Sequence, residues 1–564
     1  MYGNKSVGVY IKTPNFVRQL NLDFSNKKDT SLTGSTDDWS PMTLYGDNGI
    51  GLYIENVDKR EKNPADLTRS TGTAASITKA SAGEISGKSS VVYGNFAVNI
   101  GDSSGNKNKN YTATNKIDMT TVSSSTFSID EGSTEGDINH TVKLNNDDEM
   151  IEKNYGIFSN YNIDFSDNTV SSKIGINKFG HQVNIFGNTK ENVGVLTGNK
   201  AEYKLGAGSV NLSGKNSIDN TGIVVGGAKN NATDGTVIGD VVTIKGNAAE
   251  SADADKSDRG NRAITAVDEN NSVTVNAVES NDAINSITLV ANNKAKITVN
   301  DTASTPTIIG SSGVSTKAGV NISGSIFKYD GTRVKSKTDL NSSDNVGAAY
   351  ANKDAEITIN RTTPISTSTP VNITITGGKD HDDNYVGFGL FANNRGKINA
   401  KYNSIKADNA STAVASLNKG NIDLTGAQVE FNGEGYALYT GIDQSSADFK
   451  NAVYSDTGKI DLTSGKLVLG KSAIGYINDQ ALSSTPSITF SNTKIHVTSD
   501  DVIIADLKNS NGQIVVDVDT PGTNVLKEKL LGTGIGDVTS DTGIDKYKYA
   551  VVDNAKINIK KDID

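Results

Sequence analysis

Four histidines, His140, His181, His381 and His496, make up the whole imidazole complement of the chain, and no cysteine accompanies them. No two of them are spaced along the sequence as a metal-ligating or catalytic pair. The absence of cysteine removes thiolate nucleophiles, thiolate metal sites and disulfides. There is no Gly-x-Ser-x-Gly, no His-Glu-x-x-His and no glycine-rich phosphate loop ending in Lys-Ser/Thr. What remains is carboxylate chemistry in a few places. Asp253-Ala254-Asp255-Lys256-Ser257-Asp258 opens like a calcium loop, but Asp258 stands where the tight turn needs glycine, and no Glu occupies the twelfth position. Asp380-His381-Asp382-Asp383 is a compact oxygen-rich loop, read as solvated charge available to a partner. Trp39, the single tryptophan, follows Asp37 and Asp38 in a polar segment, where it could stack on a sugar, anchor a protein partner or pin its own loop down. Asp423 and Asp461 occupy matched positions of a repeat, and stacked carboxylates of that kind are what a polysaccharide hydrolase uses.

The elements that would position these groups are strands. Gly420-Asn421-Ile422-Asp423-Leu424-Thr425 recurs as Gly458-Lys459-Ile460-Asp461-Leu462-Thr463, and Gly396-Lys397-Ile398-Asn399 precedes both. The first spacing is roughly 38 residues and the second roughly 24, and a polar insert at 440–453 accounts for the difference. Val273–Asn276 and Ile297–Asn300 repeat at the shorter spacing, and Ile357–Asn360 is a further copy. Inside a unit the apolar residues alternate. Ile460 and Leu462 face one way, Leu467 and Leu469 follow after a Thr-Ser-Gly turn, and a third short strand begins at Ala473. Three short strands per roughly 24 residues is one coil of a right-handed parallel β-helix, all-β, with polar loops inserted between strands. A second phrase, Gly-aliphatic-aromatic, appears at Gly8-Val9-Tyr10, Gly51-Leu52-Tyr53, Gly156-Ile157-Phe158 and Gly389-Leu390-Phe391, with Ala437-Leu438-Tyr439 as a variant. It is expected to mark one strand of successive coils and to build an interior or flanking aromatic stack.

Composition agrees with a thin structure. Over 564 residues the hydrophobic fraction is 35% and the aromatic fraction 6%, with 56 Gly and 8 Pro. A column one coil wide needs only a few aliphatic side chains per coil. Lys and Arg number 55 against 65 Asp and Glu, a net charge of −10, so there is no overall attraction to nucleic acid. No run of about 18 apolar residues is present, and the only helical phrase is Val525–Leu531. Residues 1–150 read as a loop-rich part of the β-helix, possessing room for a small inserted subdomain, and residues 151–564 as a more regular one. At about 4.8 Å per coil, 15–20 coils would span roughly 70–100 Å.

The coil phrases, the Gly-Leu-Tyr/Phe phrases and the Lys/Asn/Ile bias resemble passenger domains of type Va autotransporter adhesins, most of all the large fusobacterial outer-membrane adhesins. The resemblance is strongest from about 260 to 480 and is one of repeat style. It implies a piece of a longer chain, held at the bacterial surface by a C-terminal barrel that the final residues do not resemble. It also implies loops displayed from a rigid scaffold to bind host-cell proteins or glycans or other bacteria, by a monomer with no cofactor, no metal and no catalytic residue. The expected binding loops are 25–42 with Asp37, Asp38 and Trp39, 58–87, 102–118, 376–386 with Asp380, His381, Asp382 and Asp383, and 440–453 with Asp443 and Phe449. The alternatives are a carbohydrate-active β-helix using Asp423 and Asp461, and a stalk with no ligand.

Overall fold

Aliphatic side chains stacked in register hold this chain together. The computed structural model describes the strand backbones along the whole chain. Beyond these it describes residues 217–226, 260–301, 307–312, 346–362, 371–379, 383–441, 457–479, 487–508 and 534–552, with 191 and 531, and side chains from residue 190 on. Two compact units emerge, residues 1–258 with 263–276, and 259–262 with 277–564. The described part is all-β, and its long sheets are parallel ladders rather than a closed barrel.

In the second unit the coils from Ile287 to Val497 contribute three strands each. We call the three stacks faces 1, 2 and 3, in chain order within a coil, and beyond these coils the stack continues on faces 1 and 3. Face 1 runs through Ile287–Asn292, Gly347–Asn352, Phe388–Asn393, Thr412–Leu417, Gly435–Gly441, Ala473–Asp479, Ile503–Lys508 and Lys548–Val552. Face 2 runs from Lys296–Asp301 through Glu356–Arg361, Lys397–Asn399, Asn421–Asp423 and Lys459–Asp461 to Ile488–Thr489. Face 3 runs from Ile308–Ser312 through Ile373–Thr376, Ser404–Asp408, Gln428–Asn432 and Lys466–Leu469 to Thr493–Val497 and Ile535–Ser540. The repeats seen in the sequence are the registers of this stack. Ile297, Ile357, Ile398, Ile422, Ile460 and Ile488 form one continuous row on face 2. Ile309, Ile373, Ile405, Val429, Leu467 and Ile495 form the corresponding row on face 3. Both rows are buried, and each such side chain contributes about 1.5–3 kcal/mol by leaving water.

The spacing between coils varies while the interior does not. Asn432 bonds Asp408 across 24 residues, Arg395 bonds Asp354 across 41, and Asn352 bonds Asn292 across 60. The extra residues lie in the connections between strands. Face 1 differs from the other two. Gly347–Asn352, Phe388–Asn393 and Thr412–Leu417 are buried at every position, so they show no solvent-facing row. Gly389-Leu390-Phe391 and the variant Ala437-Leu438-Tyr439 lie on this face, as expected. Tyr350, Phe388 and Phe391 meet there with ring centroids 5.1–6.5 Å apart, joined by Ile287, Val290, Ala415 and Leu417 and flanked by Tyr439.

The corner from face 1 to face 2 is a tight turn with two consecutive residues in the left-handed region. These are Asn293-Lys294, Lys353-Asp354, Asn394-Arg395 and Asn418-Lys419. Asparagine side chains tie the corners together. Asn394 Nδ2 donates to Asn352 Oδ1 at 3.0 Å, and Asn418 Nδ2 donates to Asn393 Oδ1 at 2.9 Å. This is the structural use of the Asn-rich composition, since asparagine tolerates such a backbone and supplies a donor and an acceptor to neighbouring coils.

The first unit repeats the principle. Val7–Thr13, Ile50–Asn56 and Ser89–Gly94 stack in parallel, and Tyr10 aligns with Tyr53 and Tyr53 with Tyr93. Gln19–Asp23, Ala74–Thr78 and Ala97–Ile100 form a second stack. Antiparallel pairs also occur, including Ser125–Glu131 against Asp137–Glu152. Asp137–Glu152 then pairs in parallel with Lys178–Lys190, and Tyr155–Ser159 with Val193–Thr197.

Candidate functional site

The most distinct departure from the coil is built from two inserts. One insert folds Phe327–Tyr329 back on Val334–Ser336, with Lys328 opposite Lys335. The other, one coil later, pairs Gly378–Lys379 with Tyr385–Val386. The two hairpins join through Lys328 opposite Val386 and Tyr329 opposite Tyr385. The result is a four-stranded antiparallel sheet whose hydrogen bonding is separate from the parallel ladders. It is tethered at Tyr385–Val386. The Ser411 hydroxyl donates to the Tyr385 carbonyl, Val386 is buried, and Gly387, with φ of 112°, turns the chain into the face 1 strand. On the sheet Lys379 Nζ sits 4.7 Å from the centre of the Tyr385 ring and 3.8 Å from Asp383 Oδ1. Asp383 is almost wholly exposed, at 88%. An exposed cation and carboxylate beside a half-buried ring suit polar recognition of a partner.

The sequence pointed to the second hairpin through residues 376–386 but missed the first. A signal was present. Asp330-Gly331 lies between Phe327–Tyr329 and Val334–Ser336, and Asp-Gly between short β-prone runs is a hairpin sign. Of the named candidates, Asp383 is described. Asp37, Asp38, Trp39, Asp380, His381, Asp382, Asp443 and Phe449 lie outside the described residues, as does the 253–258 loop.

The structure also places the other chemistry-bearing residues. Asp423 and Asp461 are register partners, with Asn399 in the coil before, as the repeat implied. Each carboxylate is engaged in a local turn. Asp423 Oδ1 accepts from Thr425 N at 3.0 Å and Oγ1 at 2.7 Å, and Lys401 Nζ lies 3.1 Å from Oδ2. Asp461 Oδ1 accepts from Thr463 N at 2.9 Å and Oγ1 at 2.6 Å. Burial works against the charge on Asp423, but the Thr425 and Lys401 contacts outweigh it and hold the pKa below the usual 3.8. A general acid for glycoside cleavage needs the opposite shift. Asp423 therefore does not fit the general acid, and both carboxylates are tied into their local turns. A folded-state pKa below the unfolded one gives stability that is present above pH 3.8 and lost as pH falls through the folded value. The Asp423→Asn variant is therefore expected to be less stable than the parent at neutral pH, and the gap should close in acid. Denaturant midpoints at about pH 7 and about pH 3 check this. A gap that is unchanged between the two would remove the charged Asp423 from the account.

His496 on face 3 is half-buried, with Nδ1 3.0 Å from Thr539 Oγ1 and Nε2 3.0 Å from Asp541 Oδ1. In the first unit, strand pairing brings His140 and His181 to matched register positions, a proximity their sequence spacing did not show. Among the described residues no three acidic, histidine or cysteine side chains gather as a metal site, and no helix is long and apolar enough to cross a membrane. Comparisons with protein-family models, with curated proteins and with solved structures find no match for this chain.

Proposed function

We propose that this chain is part of a bacterial surface adhesin, a passenger of autotransporter type, in which a β-helix displays inserted elements to host-cell proteins or glycans or to other bacteria. The carrying observation is the four-stranded antiparallel sheet, made by two inserts from successive coils and bonded apart from the ladders that hold the coils. A purely mechanical stalk has no need for such a sheet, whereas recognition elements are commonly placed on connections held by a rigid scaffold. The repeat style supplies the cell-surface setting, with the fragment outside the outer membrane and anchored through a barrel of the longer protein.

Replacing 313–344 by a short Asn-Gly turn removes one hairpin of the sheet and leaves every face 1, 2 and 3 strand in place. Capture of the shortened chain by epithelial cells or partner bacteria is expected to fall at least tenfold, with the β-sheet circular dichroism signal retained. Full capture by a well-folded deletion would move recognition off this sheet. A polysaccharide digest in which cleavage disappears in Asp423→Asn and Asp461→Asn would instead establish the enzyme.

A further inference from the structure

Along the corner between faces 1 and 2 the second unit carries a basic edge, in a chain whose net charge is −10. Successive coils place Lys294, Asp354, Arg395 and Lys419 at the same turn position. The turn hydrogen bonds fix that alignment, with Lys294 N donating to Lys353 O, Asp354 N to Asn394 O and Arg395 N to Asn418 O. Lys353 occupies the preceding turn position in its coil. Immediately beyond the turn, face 2 opens with Lys296, Glu356, Lys397, Asn421 and Lys459 in one register row. Every Lys and Arg among these positions is exposed, while Asp354 and Glu356 are only half-exposed. Among these described positions cations therefore outnumber anions by seven to two.

Three further observations make this more than a solvated face. Lys294, Arg395 and Lys419 have φ of 69°, 63° and 63°, in the left-handed region that favours Gly, Asn or Asp. A lysine or arginine there carries backbone strain that Gly, Asn or Asp would avoid, so local folding does not choose them. Arg395 holds Asp354 through Nε at 2.7 Å and through a second nitrogen at 2.8 Å, which fixes its guanidinium on the edge. Asp354 is held below its usual pKa by that hydrogen bond first, and by the nearby charges of Arg395, Lys294 and Lys397, so these cations act on one place.

We propose that this basic edge binds a linear anionic polysaccharide, lying along the stacked coils with its sulfate or carboxylate groups against successive turns. Coil stacking repeats the cations about every 4.8 Å, and a polymer with charges at regular intervals can meet several at once. A nucleic acid would need rings to stack on its bases, and the described edge positions carry none. A membrane surface would need apolar side chains to insert, and the exposed large apolar residues among those described are Ile308 and Tyr549, neither of them on the edge. The flanking row Thr298, Thr358, Asn399, Asp423 and Asp461 is polar or acidic, and its two carboxylates are engaged in their own turns, Asp423 by Thr425 and Lys401 and Asp461 by Thr463. This surface is separate from the antiparallel sheet, so the inference goes beyond the displayed-insert reading and does not depend on it.

The test uses the full chain with dextran sulfate as probe and neutral dextran as its uncharged match. The triple variant Lys397→Glu, Lys419→Glu and Lys459→Glu is compared with Lys466→Glu, Lys471→Glu and Lys494→Glu. The second set has equal charge change at exposed positions away from the edge. The edge variant is expected to lose at least tenfold in affinity and about two units of the slope of log affinity against log salt. The comparison variant should stay within about twofold of the parent. Circular dichroism checks the fold, and the milder Lys-to-Gln edge triple should lose affinity in the same direction. Equal losses in both sets, an unchanged edge variant or equal binding of neutral dextran would overturn the proposal. Tighter binding of phosphatidylserine vesicles or single-stranded DNA than of dextran sulfate would overturn it as well.

Discussion

Replacing Phe391 by alanine is expected to destabilise the second unit by about 3–5 kcal/mol, the range for removing a fully buried phenylalanine. Phe391 has no exposed surface, and its ring lies 5.1 Å from Tyr350 and 5.6 Å from Phe388. Those residues come from two adjacent coils, so the cavity would open on the junction between coils rather than inside one. The backbone ladder cannot close it, because Phe391 is fixed in register between Tyr350 and Ala415. Phe391→Leu keeps most of the volume and should cost less than about 1.5 kcal/mol. In a stack where each coil contacts mainly its neighbours, the damage should be local. Hydrogen exchange should accelerate in Gly347–Asn352, Phe388–Asn393 and Thr412–Leu417, while distant coils keep their protection. A Phe391→Ala protein with an unchanged denaturant midpoint would mean that these aromatics are not part of what joins the coils.

The parallel β-helix was legible because its interior rows are made by identical local phrases. Ile398, Ile422 and Ile460 each sit between polar residues, and matching those phrases reproduced the strand register. Face 1 was harder to read. Period-two alternation requires one wet side, and strands such as Thr412–Leu417 have none. The four-stranded side sheet was only half legible. Its hairpins come from separate inserts, and the pairing of Tyr329 with Tyr385 is set by coil stacking rather than by any local pattern. The corner chemistry was hidden for another reason. Asparagine, arginine and lysine at Asn394, Arg395, Asn418 and Lys419 look like loop filler until the backbone places them one above another. The matched Asp423 and Asp461 were found correctly as a stacked pair, but the threonine contacts that tie each carboxylate into its own turn were not.

The glycine that begins face 2 leads to the second large effect. Gly458→Ala is expected to cost about 2–3 kcal/mol, the upper part of the range for forcing an extra carbon into a packed site. A Cβ on Gly458 would lie 2.2 Å from both the carbonyl carbon and oxygen of Ser416 and 2.5 Å from its hydroxyl. Those neighbours are mainly backbone, and they cannot swing aside. The adjacent Lys459 N is held by Gly420 O at 2.8 Å and by Ser416 Oγ at 3.1 Å, so relief requires opening the stack. The same corner shows what a Cβ does when it is present. Where alanine stands there, the turn closes at 3.3 Å from Ala295 N to Asn292 O and at 3.2 Å from Ala355 N to Asn352 O. Where glycine stands there, Gly396 N to Asn393 O and Gly420 N to Leu417 O both measure 2.8 Å. A methyl group is thus tolerated at Ala295 and Ala355; Gly458 closes no such turn, bonding Gly441 O at 3.3 Å, and there the conflict lies in the Ser416 contacts themselves. The reverse change, Ala355→Gly, should cost about 1–2 kcal/mol, from added chain freedom and the loss of one buried methyl. Replacing Gly458 gains about 0.4–1 kcal/mol from a stiffer unfolded chain, so a net loss measures the steric conflict conservatively. Denaturant midpoints of the two variants decide the point. If Gly458→Ala is no less stable than Ala355→Gly, close approach of the coils is not what selects glycine at this corner.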